Sequence, residues 1–292
     1  MRTTGPAQVL RVSGPPREQG RQHGQQARDL IVENLALIRR GMAELSARGR
    51  QYDYDSVLKT NQAFAAEAAP EILDEVKGIA EGAEVPYRDL LLLNLPLYFI
   101  GALLPLECTQ ILLAPPATAN GVTLLGKTRD LGHGRLQHVM LHRRYPDGLE
   151  LIEVGAAGSI TWPGSGLSSR GVALTTSGVW SNRTPIHLDR AASGWLLAQR
   201  AAEQPRVTGL NILAADADGA AALELTSDRL YRADAEDGVV VRTNHYLEPE
   251  IQHLGPTREE YPGTYHRYEV ATAAIWEAYG SWDTARLATL LA

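Results

Sequence analysis

Apolar residues early in the chain recur at close to the 3.6-residue period of an α-helix. Leu30, Ile31, Leu35, Ile38, Met42 and Leu45 form one such face within "REQGRQHGQQARDLIVENLALIRRGMAEL", which predicts a long helix. "NQAFAAEAAPEILDEVKGIAEGAEV" carries a second face through Ile72, Leu73, Val76, Ile79 and Ala80, with Gly82 as its stop and Pro86 beyond it. "SGPPREQG" reads as a strand-to-helix turn ahead of the first helix.

After Cys108 the pattern changes to short apolar runs divided by turn residues. "TQILLAP" and "GVTLLGKT" read as a strand pair joined by "ATANG". "LQHVMLHRRYPDGLELIEVGAA" reads as a hairpin turning at Pro146-Asp147-Gly148, and "SGLSSRGVALTTSGV" as two strands around Arg170-Gly171. "VTLLG" and "LELIEV" carry more apolar residues than a strand buried on one face needs. "LDRAASGWLLAQRAAEQ" returns to helical spacing. Four strands follow, with turns at Asp218-Gly219, Thr226-Ser227-Asp228 and Asp237-Gly238, and the chain becomes helical again from Thr264. Sequential hairpins make antiparallel sheet, and two such sheets with helices on their outer faces would bury all these elements. The expectation is an α+β protein.

Composition narrows the functional classes. The chain has 292 residues, 44% of them apolar, with a formal charge of −6. That balance, with no basic run longer than two residues, argues against nucleic acid as a partner. The stretch Leu90 to Leu106, "LLLLNLPLYFIGALLPL", is shorter than the roughly 20 residues of a membrane span and is broken by Asn94, Pro96, Gly101 and Pro105. It reads as buried or groove-lining, so no membrane span is expected. The N-terminus lacks the apolar core and cleavage site of a signal peptide, and one cysteine cannot form an intrachain disulfide. A cytoplasmic location is the expectation.

Cys108 is the single cysteine, and a lone cysteine is by default a buried structural thiol. Its setting, behind a proline-broken run and at the head of a strand, also suits a nucleophile. Asp130 closes the next strand, and Asn244 with His245 closes a later one in "VVVRTNHYL". A thiol, a carboxylate and an amide at three strand ends could act as nucleophile, hydrogen-bond anchor and oxyanion donor. Turn chemistry alone also accounts for Asp130 and Asn244. His133, His138 and His142 lack a completing ligand, so no metal is expected. His23, in a helix, reads as a solvated surface residue. No nucleophile elbow, phosphate loop or dinucleotide fingerprint is present, and no cofactor is expected.

The combination "ECTQILLAP", "GVTLLGKTRD" and "VRTNHYL" resembles the N-terminal-nucleophile (Ntn) hydrolases of the penicillin acyltransferase type (acyl-coenzyme A:isopenicillin N acyltransferase). Choloylglycine hydrolases and acid ceramidase are more distant relatives of that family. The resemblance extends over "SGPPREQGRQHGQQARDLI" and "EILDEVKGIAEGAEVPYRDLLLLN", which are similar to its helical pro-segment, and over "GLSSRGVALTTSGV".

The resemblance implies a four-layer αββα sandwich made as a zymogen. Residues 1–107 would be the helical pro-segment or α-chain, and 108–292 the catalytic core or β-chain. The chain would cut itself between Glu107 and Cys108 and persist as an α/β heterodimer. Cys108 would then be both thiol nucleophile and, through its freed α-amine, general base. Asp130 matches the family's carboxylate and Asn244 its oxyanion-hole or orienting amide. Thr109 follows the nucleophile as in relatives, and Lys127 stands where bile-salt relatives carry an arginine. The implied activity is autocatalytic cleavage followed by amidase or acyltransferase chemistry on a small acyl-amide or acyl-thioester, acyl-coenzyme A among them.

Two departures stand out. Glu107 replaces a glycine. The family also continues past the equivalent of Ala292 with further strands and an arginine of the site, so the chain has shed these or is a truncated form. Two other readings remain open: an uncleaved, catalytically incompetent binding protein, and a conventional Cys108–His245 hydrolase.

Overall fold

A computed structural model of the chain describes residues 7–49, 53–94, 106–131, 136–160, 165–179, 209–217 and 219–292, the side chains of Leu106, Asp130 and Leu131 excepted. The chain folds into two compact units. The first holds strand β1 (Gln8–Ser13), helices α1 (Pro16–Gln26), α2 (Arg28–Ala47), α3 (Tyr54–Ala68), α4 (Pro70–Ala83) and α5 (Tyr87–Asn94), and strands β4 (His138–Arg144), β5 (Glu150–Ala156) and β6 (Ser165–Ser168). The second holds β2 (Leu106–Leu113), β3 (Leu124–Leu131), β7 (Ala173–Val179), β8 (Gly209–Ala215), β9 (Ala220–Leu225), β10 (Leu230–Asp234), β11 (Val239–Arg242), α6 (Pro262–Glu277) and α7 (Thr284–Leu291). The protein is thus α+β, and the expected 107/108 division falls inside β2. The helix expected from Leu188 lies outside the described residues, as does most of the 90–106 apolar run. Among the described residues, no helix is long and apolar enough to cross a membrane.

In the first unit, β4 and β5 form the expected hairpin, with Gly148 at φ 83° in its turn. The expectation of purely antiparallel sheet is corrected at β1, which runs parallel to β4. Five helices and two strands separate the two in sequence, so no hairpin constrains their direction. Strand β5 is also less buried than its composition predicts: Ile152 and Val154 are exposed.

The long helix predicted from Arg17 breaks at Ala27 (φ −118°, ψ 20°), giving α1 and α2. Each buries a different kind of face. Helix α2 buries Ile31, Leu35, Ile38 and Leu45, whereas α1 buries Gln19, Gly20, His23 and Gly24. A Cβ on Gly20 would lie 2.1 Å from Glu75 O of α4, and one on Gly82 would lie 2.0 Å from Arg21 O. The two backbones touch there, and only hydrogen fits. Gly82 is therefore not the helix stop expected of it. Helix α4 continues to Ala83 and ends at Glu84 in the left-handed region, φ 55°.

The same close approach corrects His23. It is fully buried, and its Nε2 accepts the Gly158 N–H at 3.1 Å. Burial, reinforced by the Arg143 charge, lowers its pKa to about 3.

In the second unit, strands β11-β2-β3 form a three-stranded antiparallel sheet, and β7-β8-β9-β10 follow one another as antiparallel neighbours. Side chains alternate along β2. Ile111 and Leu113 face α6 and α7, packing with Ala271, Ile275 and Leu287. Leu112 faces the other way, against Leu213 and Ala222 of β8 and β9. This unit is a helix–sheet–sheet stack. The final helical stretch divides at Gly280, φ 76°, and Asp283 caps α7 by accepting the Arg286 N–H at 2.8 Å.

Candidate active site around Cys108

Cys108 is the third residue of β2 and is 2% exposed. Strand β11 pairs with β2 only as far as Arg242 opposite Gln110. Continued by two residues, that register sets Asn244 opposite Cys108. The backbone turns away there, and side chains take over the ladder. Asn244 Oδ1 accepts the Cys108 N–H at 2.8 Å, and Arg267 Nη1 of α6 donates to the Cys108 carbonyl at 2.5 Å. Arg267 also donates to Thr109 Oγ1 at 3.2 Å and to Asn244 Oδ1 at 3.1 Å. Asn244 Nδ2 in turn donates to Gly178 O at 2.9 Å. The Asn244 amide thus orients Cys108 by accepting from it.

Both backbone groups of Cys108 point toward Asn244 and Arg267. Cys108 and Arg129, register partners across β2 and β3, are therefore a non-hydrogen-bonded pair, the type that brings side chains closest. The ladder alternates, so Glu107 and Asp130 form the hydrogen-bonded type, in which the Asp130 N–H faces the Glu107 carbonyl. The Asp130 side chain lies outside the described residues.

Positive charge gathers on the thiol's face of the sheet. Burial pulls the Arg129 guanidinium down to about 10, against the opposing pull of Cys108, with which it hydrogen-bonds. Lys127, opposite Gln110 and two residues along the same face, donates to Thr176 O. Burial lowers its ammonium to about 7, again partly offset by Cys108. An amine in that range changes its protonation near neutral pH, as a general base must.

The turn carrying Asn244 is held from two sides. Asn211 Nδ2 of β8 donates to Thr243 O at 3.2 Å and to His245 O at 3.0 Å. Thr264, in the first turn of α6, accepts the Asn244 N–H at 2.8 Å. His245 Nδ1 sits 3.0 Å from Thr243 Oγ1 and 3.1 Å from Thr264 Oγ1, and its ring stacks on Tyr265 at 4.0 Å. Burial and the charges of Arg242, Arg258 and Arg267 lower its pKa to about 4. It is a neutral packing and turn-holding residue, and its hydrogen bonds run to threonines. The geometry offers no Cys108–His245 dyad.

On the opposite face of β2, the Glu107 carboxylate lies 3.3 Å from Arg267 Nε. Nearby, a cavity of about 270 Å³ opens beside Thr109, Thr128, Arg267 and Val270. The imagined histidine cluster dissolves: His138 Nδ1 lies 2.8 Å from Leu136 O, and His142 Nε2 2.6 Å from Glu150. His133 lies outside the described residues, among which no group of metal-ligating side chains occurs.

The sequence directed attention to Cys108, Thr109, Lys127, Asp130 and Asn244, and β2, β3 and the turn after β11 bring these backbones together. It missed Arg129 and Arg267. Arg129 was findable, since antiparallel pairing of the two strands sets it opposite Cys108. Nothing local marks Arg267, which lies 159 residues from Cys108 and meets it only through the packing of α6. No protein-family model matches the chain, and no curated protein matches it significantly.

Proposed function

We propose that this protein is a self-processing N-terminal-cysteine amidohydrolase or acyltransferase of the Ntn type. One observation carries the reading: the amide nitrogen of the Glu107–Cys108 bond is taken out of the sheet ladder and held by a buried side chain, Asn244. A structural cysteine within a sheet needs no such arrangement. The helix–sheet–sheet order of the second unit is that of three layers of an αββα sandwich, which adds support.

In the first reaction the Cys108 sulfur attacks the Glu107 carbonyl. A C–S bond forms, the C–N bond breaks, and the thiol proton passes to the departing nitrogen. Lys127, neutral above about pH 7, is the buried group suited to carry that proton. Arg129 sets positive charge beside the attacking sulfur. The Asp130 N–H faces the oxygen on which charge develops. Water then adds to the thioester, freeing the Glu107 carboxylate and restoring the thiol.

The new α-amine has an ordinary pKa of about 7.7–8.0, and Arg267, bonded to the same residue's carbonyl, disfavours its protonated form. The amine then serves as base for the adjacent thiol. Attack on an acyl-amide or acyl-thioester gives an acyl-cysteine, which passes its acyl group to water or an amine.

Intact mass of the purified full chain tests this reading. Wild type should resolve into residues 1–107 and 108–292, while Cys108→Ala stays whole. A wild-type chain that stays whole, with its thiol inert to iodoacetamide, would overturn the proposal in favour of an uncleaved binding protein.

A further inference from the structure

We infer that the residues around the Glu107 side chain form a carboxylate-binding acyl subsite, and that the processed protein acts on amides of a five-carbon dicarboxylic acyl group, glutaryl or α-glutamyl. The inference rests on the self-processing reading and deepens it to a substrate class.

The same sulfur attacks two carbonyls in turn: that of Glu107 during processing and that of the substrate in turnover. Both carbonyl carbons must occupy the same place, so whatever hangs from them meets the same walls. In the unprocessed chain the carbonyl carries Cα, Cβ, Cγ and a carboxylate, the skeleton of a glutaryl group.

That carboxylate is received by three features of the second unit. Arg267 Nε forms an ion pair with Oε2 at 3.3 Å and, although buried, makes no hydrogen bond. The Tyr261 phenol stands beside the carboxylate, and its burial together with that negative charge raises its pKa, keeping it a donor. The third is the start of α6, a helix of 16 residues, whose first turn favours negative charge. A Cβ placed on Gly263 would stand 3.7 Å from Oε2, so the carboxylate lies directly over that turn with no side chain between. The Glu107 side chain keeps 38% of its exposure, so the subsite is open to solvent.

When the new C-terminus withdraws, Arg267 Nε and the Tyr261 hydroxyl are left facing a vacated space. A neutral acyl chain entering there would leave Arg267 Nε without the counter-charge that Glu107 supplies. A glutaryl chain restores the ion pair. Turnover balances without a co-reactant other than water. The acyl C–S bond forms as the substrate C–N bond breaks, the leaving amine takes the thiol proton through the Cys108 α-amine, and water releases the dicarboxylate and the thiol.

The test compares glutaryl and valeryl amides of aminomethylcoumarin on the processed full-length protein. They have the same carbon count, with a methyl replacing the carboxylate in the second. We expect kcat/KM at least about tenfold higher for glutaryl. In Tyr261→Phe and Arg267→Gln that ratio, which a general loss of activity does not move, should fall toward one. A measurement independent of turnover is protection of Cys108 from iodoacetamide, where glutarate should act at concentrations at least tenfold below valerate. Equal rates, or equal protection, in a chain that has cut itself at Glu107–Cys108 would overturn the subsite and leave the enzyme reading standing. A chain that stays whole and turns over neither amide would overturn both.

Discussion

Asn244 Oδ1 accepts the amide N–H of Cys108 at 2.8 Å, across 136 residues of chain. The bond stands where β11 would have continued its ladder with β2. It makes the nitrogen of one peptide bond depend on a single side chain.

Asn244→Ala should therefore act on processing and on stability separately. It strands the Cys108 N–H and the Gly178 carbonyl, both buried, at a cost of about 1–3 kcal/mol. Urea unfolding in a Cys108→Ala background reads that cost alone. Self-cleavage followed by intact mass should slow by about 10²-fold, the scale of losing one preorganised polar partner. An unchanged rate would remove Asn244 from the mechanism.

Lys127 sets an expected pH dependence for self-cleavage. Burial lowers its ammonium to about 7, so the amine is protonated below that pH and free to accept a proton above it. The cleavage rate of freshly purified chain should rise through about pH 7 and level off above. Lys127→Met should be slow at every pH and lose the inflection. A wild-type rate that is flat from pH 5 to 9 would count against Lys127 as the base.

His23 gives the first unit a pH-sensitive stability. Its pKa is about 3 in the folded chain, below the unfolded value of about 6.5. At neutral pH both states carry neutral imidazole and nothing is lost. As pH falls below about 6.5 the unfolded chain takes up a proton that the folded one refuses, and stability declines by up to about 1.4 kcal/mol per pH unit. Unfolding free energies from urea titration at pH 7 and pH 5 should differ by about 2 kcal/mol more in wild type than in His23→Gln. Equal differences would mean that another group governs the acid side.

Much of the sheet structure of both units was legible in the sequence because β2–β3, β4–β5 and β8–β9–β10 are consecutive hairpins. Turns at Asp147-Gly148 and Asp237-Gly238 need the left-handed backbone that Gly148 and Gly238 adopt at φ 83° and 72°. Cys108, Asp130 and Asn244 were legible as strand-end chemistry, and Lys127 only through the family resemblance. The first unit hid more. Glycine and histidine in α1 carry no apolar signal, and nothing in the periodicity says that two helix backbones touch at Gly20 and Gly82.

The sequence by itself determined where helical and strand patterns run, the α+β class, and the singularity of one thiol at the head of a strand. Local rules suffice for that, because helix period, strand alternation and turn residues act over a few positions. Only the tertiary structure decided which side chains meet that thiol's residue. Register brings Arg129 opposite Cys108, the early end of β11 hands its hydrogen bond to Asn244, and the packing of α6 carries Arg267 and Tyr261 to the same junction. Those are contacts between distant segments, set by how buried faces fit together.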